Sequence, residues 1–408
     1  MAGNHIGGNA VTESTIPGVN VSQSKVDPKA IAGAPTSIAA FVGAASKGPF
    51  DKAVAIASFA DFERQFGGIW QESNLGYAVQ SFYLNGGRDA LIVRVGAQDA
   101  SAKGGVVTNA ELLGDPARET GVFALNADVR FNLLSIPPPA RGGDTAAFVY
   151  QTALVHCIKR GAMLLVDPPA AWGAGAEAAL KGFDALGING PDARNAALFY
   201  PRLLAPDPAD GGKPADLVPS GAVSGLMART DAVVGVWKAA AGQDAAVAGI
   251  SGLQARVSDV ENSSLSANAI NCIRTFPTVG TVLWGARTMR GQDIFSDDFK
   301  YIPVRRLAIY IEQSLEQGLQ WVIFEPNGPL LWSALRDTIS QFLYGLWSQG
   351  ALFGASPSQA FFVTIDGSTT TPEDIVNGIV NIVIGIAPAA PAEFVILNIR
   401  HRAGMPAA

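Results

Sequence analysis

The chain has 408 residues, of which 48 % are hydrophobic and only 16 % charged, with a net charge of −6. That length can bury two or three domain cores, and 45 glycines with 25 prolines stay short of the roughly 25–30 % Gly plus Pro that marks disorder. The acidic balance without a long Lys/Arg cluster argues against nucleic acid as the main partner. A charged fraction below the ~25 % of ordinary soluble chains implies that neighbours cover much of the surface.

Residues 1–26 are rich in Gly, Asn, Ser and Thr, and their one alternating stretch, Val19-Asn20-Val21-Ser22, reads as a strand on an arm. Such a strand is not stable alone. From 27 to 250 the pattern alternates: strand 37–43, helix 59–65, helix 75–84, strands 90–95 and 131–136, helix 145–159, strands 162–166 and 196–200. That order predicts an α/β domain with a largely parallel sheet. Ser58 with Asp61 three places on is a helix start, and Gly67-Gly68 a left-handed stop. Residues about 100–120 break the pattern and read as a surface insertion, and 207–219, rich in Pro, Gly and Asp, as a loop.

From 251 to 393 the order becomes strand pair, helix 303–317, helix 330–349, strand, strand pair, a smaller α+β domain. Residues 394–408 begin with Phe394, Val395, Ile396 and Leu397 and end in a short Ala/Pro tail, which reads as a second exchangeable arm. Within the smaller domain, Leu331, Leu335, Ile339, Leu343 and Trp347 recur every four residues, and Trp332, Phe342 and Leu346 widen the stripe to over half of the helix circumference. A helix buried in its own core and a helix shared with a neighbour both fit. The polar strip that remains is Ser333, Arg336, Asp337, Ser340 and Tyr344. Residues 375–392 carry no charge and approach the ~20 residues of a membrane span. Ile379, Val380, Ile382, Val383, Ile384 and Ile386 are all β-branched, however, and two asparagines, two glycines and two prolines interrupt the run. A strand buried on both faces is the better reading, and no membrane insertion is expected.

Catalytic chemistry has little to stand on. Cys157 and Cys272 are far apart and lack any Cys-x-x-Cys spacing, so both read as buried free thiols. The three histidines, His5, His156 and His401, fall in an arm, a helix and the tail, with no spacing for a metal site or a Ser/His/Asp set. There is no Gly-x-Ser-x-Gly, Walker loop or Gly-x-Gly-x-x-Gly after a strand, so no catalytic, cofactor or metal residue is assigned. Asp167 in Val166-Asp167-Pro168-Pro169 stands at the carboxyl end of a parallel strand, where α/β enzymes bind ligands. It is equally an ordinary strand exit. No secretory signal is expected, because no basic segment precedes an apolar core at the start.

Several segments occur in a telling order: Ile16-Pro17-Gly18-Val19-Asn20-Val21, Pro35 to Gly43 with Lys47-Gly48-Pro49, Ser58 to Gly67, Asn85-Gly86-Gly87-Arg88-Asp89 to Val95, and Pro219 to Gly225. Arg229-Thr230-Asp231, Val236-Trp237-Lys238, Asn271-Cys272-Ile273-Arg274, Trp284 to Thr288, Val304-Arg305-Arg306-Leu307 and Pro388 to Leu397 follow. In this order they resemble the contractile tail-sheath family, the subunits of phage tails, pyocin-like particles and phage-derived injection systems. The resemblance implies a two-domain sheath fold, α/β plus α+β, with extended N- and C-terminal strand arms.

It further implies a helical homopolymer around an inner tube protein, with baseplate and terminal cap proteins as partners, that shortens to drive the tube through a target envelope. Assembly in the bacterial cytoplasm, within a virion or a contractile injection particle, follows from the same likeness. Val19, Asn20, Val21 and Phe394 to Leu397 are then the linking strands, joined to neighbours by strand addition. The family places the C-terminal domain inward, which makes Arg336, Asp337, Ser340 and Tyr344 the candidate tube contact. A static tube or shell protein, and an α/β enzyme built on Asp167, are the competing expectations.

Overall fold

The computed structural model describes residues 29–96, 107–389 and 395–402. Its strands are β1 (Ala39–Gly43), β2 (Val54–Ile56), β3 (Ala90–Arg94), β4 (Leu133–Ser135), β5 (Met163–Val166), β6 (Ala196–Tyr200), β7 (Leu203–Asp207), β8 (Lys213–Leu217), β9 (Gly252–Leu253), β10 (Asn271–Phe276), β11 (Gly280–Trp284), β12 (Phe361–Thr364), β13 (Ile379–Ile386) and β14 (Val395–Arg402). The helices are α1 (Phe59–Phe66), α2 (Leu75–Leu84), α3 (Asn109–Leu113), α4 (Ala147–Arg160), α5 (Ala176–Gly182), α6 (Ser220–Val233), α7 (Asp259–Ala267), α8 (Ile302–Gly318), α9 (Pro329–Ser348), α10 (Pro357–Ala360) and α11 (Pro372–Val376).

Local chemistry sets the ends of these elements. Ser58 Oγ accepts the Asp61 N–H at 3.1 Å to start α1, and Gly67 closes it at φ 94°, a region open to glycine because it has no Cβ. Ser258 with Glu261, and Thr371 with Asp374, form complete capping boxes at α7 and α11.

Eight strands form the main sheet in the order β11-β10-β6-β5-β4-β1-β3-β2. The six central ones are parallel and only the outer strands β2 and β11 run antiparallel. Because side chains alternate across a strand, consecutive residues feed two different cores. Ala40, Val42, Leu134, Leu164, Val166 and Leu198 join the core that includes α4 residues Val149, Tyr150, Ala153 and Cys157. Phe41, Leu133, Met163, Leu165 and Phe199 face the other way, against α2 and α6. A third core holds the inner faces of α8 and α9 against β12 and β13.

The strand pair at 271–284, expected in the smaller domain, is hydrogen-bonded into the large sheet, with β10 parallel to β6. A sequence pattern of two adjacent short strands does not reveal which sheet edge receives them. The segment read as a loop at 207–219 carries the β7–β8 hairpin, which with β9 makes a three-stranded sheet. Pro206 and Pro214 stand directly opposite each other, a pairing that asks no N–H of either. Residues 107–120, expected within a surface insertion, send Val107 and Leu112 into the first core; a Thr108–Glu111 capping box sets the start of α3.

Candidate assembly interface

The third unit contains a small antiparallel sheet, β12-β13-β14. β13 pairs with β14 along its whole length, from Ile379 opposite Arg402 to Ile386 opposite Val395. Val380, Ile382, Ile384 and Ile386 are buried in the core below, so alternation pins the register of β13. Gly385 permits close packing, because a Cβ there would lie 2.0 Å from the Phe362 ring. Of the expected linking residues, Val395, Ile396 and Leu397 lie on β14, opposite Ile386, Gly385 and Ile384. Val19, Asn20, Val21 and Phe394 lie outside the described residues.

On α9, Leu331, Leu335, Ile339, Leu343 and Leu346 are all buried. The four-residue stripe is therefore mostly core, and the shared-surface reading applies only to its rim. Two indoles mark that rim: Trp332 donates to Asn327 Oδ1 and Trp347 to the Gly354 carbonyl, each at 2.9 Å. Asp337 and Tyr344 are exposed and Ser340 half-buried. The half-buried Arg336 donates its guanidinium to the Ile365 carbonyl, tying α9 to the end of β12.

Asp167 is a structural cap. Its carboxylate accepts the Ser220 N–H at 2.9 Å and the Ser220 hydroxyl at 2.8 Å, and Ser135 stands 2.6 Å behind that hydroxyl. It thus satisfies an orphan donor in the first turn of α6 and complements the helix dipole. Burial pushes its pKa up to about 6, against the lowering effect of the Ser220 bonds and of Arg202. Asp167 is 4 % exposed and each of its carboxylate oxygens accepts a bond from Ser220, so it has no face open to a substrate.

His156 bonds the Leu125 carbonyl at 2.9 Å beside Phe123 and Phe131, and burial lowers its pKa. Both cysteines are buried and free, and desolvation raises both thiols, that of Cys272 to about 12. Among the described residues, no group of His, Cys, Asp and Glu is placed to hold a metal ion, and no helix is long and apolar enough to cross a membrane.

Residues 296–402, which hold α8, α9 and the small sheet, match the family model of the phage tail sheath C-terminal domain. The whole chain aligns with the sheath complex of PVC, an extracellular contractile injection system, in its contracted state: TM-score 0.72, 28 % identity, 95 % of this chain and 98 % of that one. The helical sheath of the anti-feeding prophage, also contracted, aligns at TM-score 0.68 and 29 % identity over 94 % and 98 % of the two chains. The chain is similar over nearly its whole length to contractile sheath proteins. A sheath tail protein from Desulfitobacterium hafniense shares the fold at 12 % identity, TM-score 0.55, over 94 % of this chain and 100 % of that one. No curated protein matches this sheath subunit.

The sheath motifs prove to be joints between elements. Asp231 and Arg306, read in separate motifs, meet in a two-pronged ion pair at 2.6 and 3.0 Å. Asn271 binds both the N–H and the carbonyl of Arg287, and Asn85 likewise clasps Ala248. Gly86 lets Arg229 pass where a Cβ would approach its side chain to 2.8 Å. Sequence reasoning named these residues but missed their partners, because the pairs are separated by up to 163 residues and nothing local links them.

Proposed function

We propose that this contractile sheath subunit polymerises helically around an inner tube, linked to its neighbours by its two terminal strands, and contracts to drive the tube through a target envelope. The observation that carries this reading is full-length similarity to two contracted sheaths, joined to a small sheet whose two outer strands, β12 and β14, each have an edge unpaired among the described residues. Such an edge offers N–H and C=O groups to an incoming strand.

In the single chain β14 completes its own sheet; in the polymer the same strand serves a neighbour's β13, an exchange of identical elements that costs little. Each backbone bond contributes a net ~0.5–1.5 kcal/mol, so an eight-residue ladder supplies several kcal/mol per link. Residues 1–26 form the other link. A contact between different patches of identical subunits makes a ring stack or helix, not a closed dimer.

Contraction then needs two packings of the lattice that differ modestly in free energy per subunit, with a kinetic barrier holding the extended one. The role is mechanical, without cofactor or turnover, and the partners are copies of this chain, a tube protein, and baseplate and cap proteins. Assembly takes place in the bacterial cytoplasm, as part of a virion or a contractile injection particle. The exposed rim of α9, with Asp337, Ser340 and Tyr344 and with Arg336 fixing its position, faces the tube.

Electron microscopy of the purified chain, alone and co-expressed with its tube protein, tests the proposal. Striated hollow cylinders, wider alone and narrower around a tube, are expected. Cylinders of a single diameter would make it a static tube, and discrete oligomers would overturn polymerisation. Deleting residues 1–26 is expected to leave a folded subunit that no longer polymerises; unchanged cylinders from that variant would discard the linking arm.

A further inference from the structure

A polar cleft of about 540 Å³ opens between the end of α4 and the second half of α8. Arg130, Lys159 and Arg160 line it from the side of α4 and the approach to β4, and Glu312 and Glu316 line it from α8. Gln313 Nε2 joins the two sides, donating to the Arg160 and Gly161 carbonyls at 3.1 and 3.0 Å. The opposite charges do not meet across the cleft. Among the described residues Arg130, Lys159, Arg160 and Glu316 make no ion pair, and Glu312 reaches only Arg305, at 3.9 Å. A cleft with one cationic and one anionic wall fits a partner that carries both signs.

The β7–β8 hairpin is such a partner. Residues 208–214 are all exposed at its tip, where Gly211 and Gly212 take left-handed turn conformations with open space around both. Its base is fixed where Asp207 accepts the Tyr77 hydroxyl at 2.6 Å. At the tip Asp210 pairs with Lys213 at 3.0 Å, with side chains 48 % and 74 % exposed. An exposed pair of this kind contributes little and is free to exchange partners.

Because β4, β5 and β6 are parallel, their starts share one edge of the sheet and their ends the other. Arg130 lies just before β4, and Lys159 and Arg160 just before β5, at the amino edge. β7 follows the end of β6, and Arg202 between them donates to the Pro168 carbonyl just beyond β5, at the carboxyl edge. Finger and cleft therefore stand at opposite edges of one subunit, and a second copy is what brings them together. A contact between different patches runs head to tail and does not close a dimer.

We propose that the 208–214 finger of one copy docks in the α4–α8 cleft of the next, with Lys213 against Glu312 and Glu316 and Asp210 against Arg130 and Lys159. This rests on the self-assembly proposed above and adds a contact apart from the terminal strands.

Cross-linking between two co-expressed, differently tagged full-length chains tests the docking. One carries Ala209→Cys on the finger and the other Gln320→Cys in the cleft, so every charge is retained. Cys157 and Cys272 are buried, and a short bis-maleimide reads the introduced pair. Links between the two tags are expected at least ~5-fold faster than when Val260→Cys, 78 % exposed on α7, replaces Gln320→Cys. Lys213→Glu on the finger chain is expected to bring the rate down to that control, and Glu316→Lys on the cleft chain to restore it; both positions are exposed, where substitutions disturb folding little. Links at the control rate, or a loss by Lys213→Glu that Glu316→Lys does not restore, overturn the docking. Electron microscopy of the same samples reads polymerisation separately. Cylinders with control-rate links discard this contact alone, whereas fast links without cylinders keep the contact and discard the helix.

Discussion

Arg306 on α8 grips Asp231 near the end of α6 with both guanidinium prongs, at 3.0 and 2.6 Å, and a further N–H reaches the Thr36 carbonyl at 2.9 Å. Their side chains are 5 % and 3 % exposed. One buried pair therefore joins the α2–α6 layer, the entry of the chain and the helix that leads into the third core. Removing one partner from such a pair strands a buried charge, at about 3–5 kcal/mol. Arg306→Met is expected to lower the urea midpoint accordingly at unchanged slope. The double variant Arg306→Met/Asp231→Leu is expected to cost less than Arg306→Met alone. Equal costs for the single and double variants would mean that shape, not charge, holds this joint.

Asp167 gives the subunit a pH signature. Its folded pKa of about 6 lies above the ordinary aspartate value of 3.8, so between those values the folded state binds more protons than the unfolded one and stability falls as pH rises. The strain is absent below about pH 3.8 and complete above about pH 6, and two units correspond to ~3 kcal/mol. Asp167→Asn keeps an acceptor for the Ser220 N–H and removes the titration. Its stability relative to wild type is therefore expected to rise from pH 4 to pH 7, measured by denaturation at matched ionic strength. Parallel curves for the two proteins would show that Asp167 does not titrate there.

The α/β class was legible because strands such as 37–43 and 196–200 alternate along the chain with helices such as 75–84. Strand 379–386 was legible from its mostly β-branched composition, although it is alternately buried and half-buried over most of its length, where burial on both faces was expected. What stayed hidden was placement. Asp231 with Arg306, and Asn271 with Arg287, depend on chain crossings that no local pattern records. Pro208, Pro214 and Pro219 spoke for a loop at 207–219 and hid the β7–β8 hairpin, because composition does not say which N–H groups a ladder leaves unused.

Glycines within the helices divide into two kinds, with opposite predictions. Gly221 and Gly225 lie one turn apart on α6 and face α2, where an added Cβ would stand 2.3 Å from the Ala78 carbonyl and 2.4 Å from that of Phe82. Gly345 on α9 has nothing within 4 Å of such a Cβ. Gly221→Ala or Gly225→Ala forces the helices apart, an overpacking cost of about 1–3 kcal/mol or more. Gly345→Ala loses only the flexibility of glycine and is expected to stabilise by ~0.5–1 kcal/mol. Thermal melts of the three variants decide the matter, and a destabilised Gly345→Ala would reveal an occupant of that surface.

The rim of α9 allows binding to be separated from folding. Tyr344 is 52 % exposed and leans on Trp347 at 5.4 Å between ring centroids, so it offers a rigid amphipathic surface, and Asp337 two turns away on the same helix adds charge. Truncating an interface tyrosine at a hot spot costs ~2 kcal/mol or more, about thirtyfold in affinity. Reversing a charge at the rim chiefly alters the association rate and its salt dependence. Tyr344→Ala with Asp337→Lys is therefore expected to leave empty cylinders intact while weakening capture of tube protein at least ~30-fold in co-sedimentation, more so at low salt. Arg336→Ala, which breaks the bond to the Ile365 carbonyl, is expected to lower thermal stability and to disturb tube capture only in proportion. If the Tyr344/Asp337 variant captures the tube as wild type does, the contact lies on another face of the third unit, and α9 is core alone.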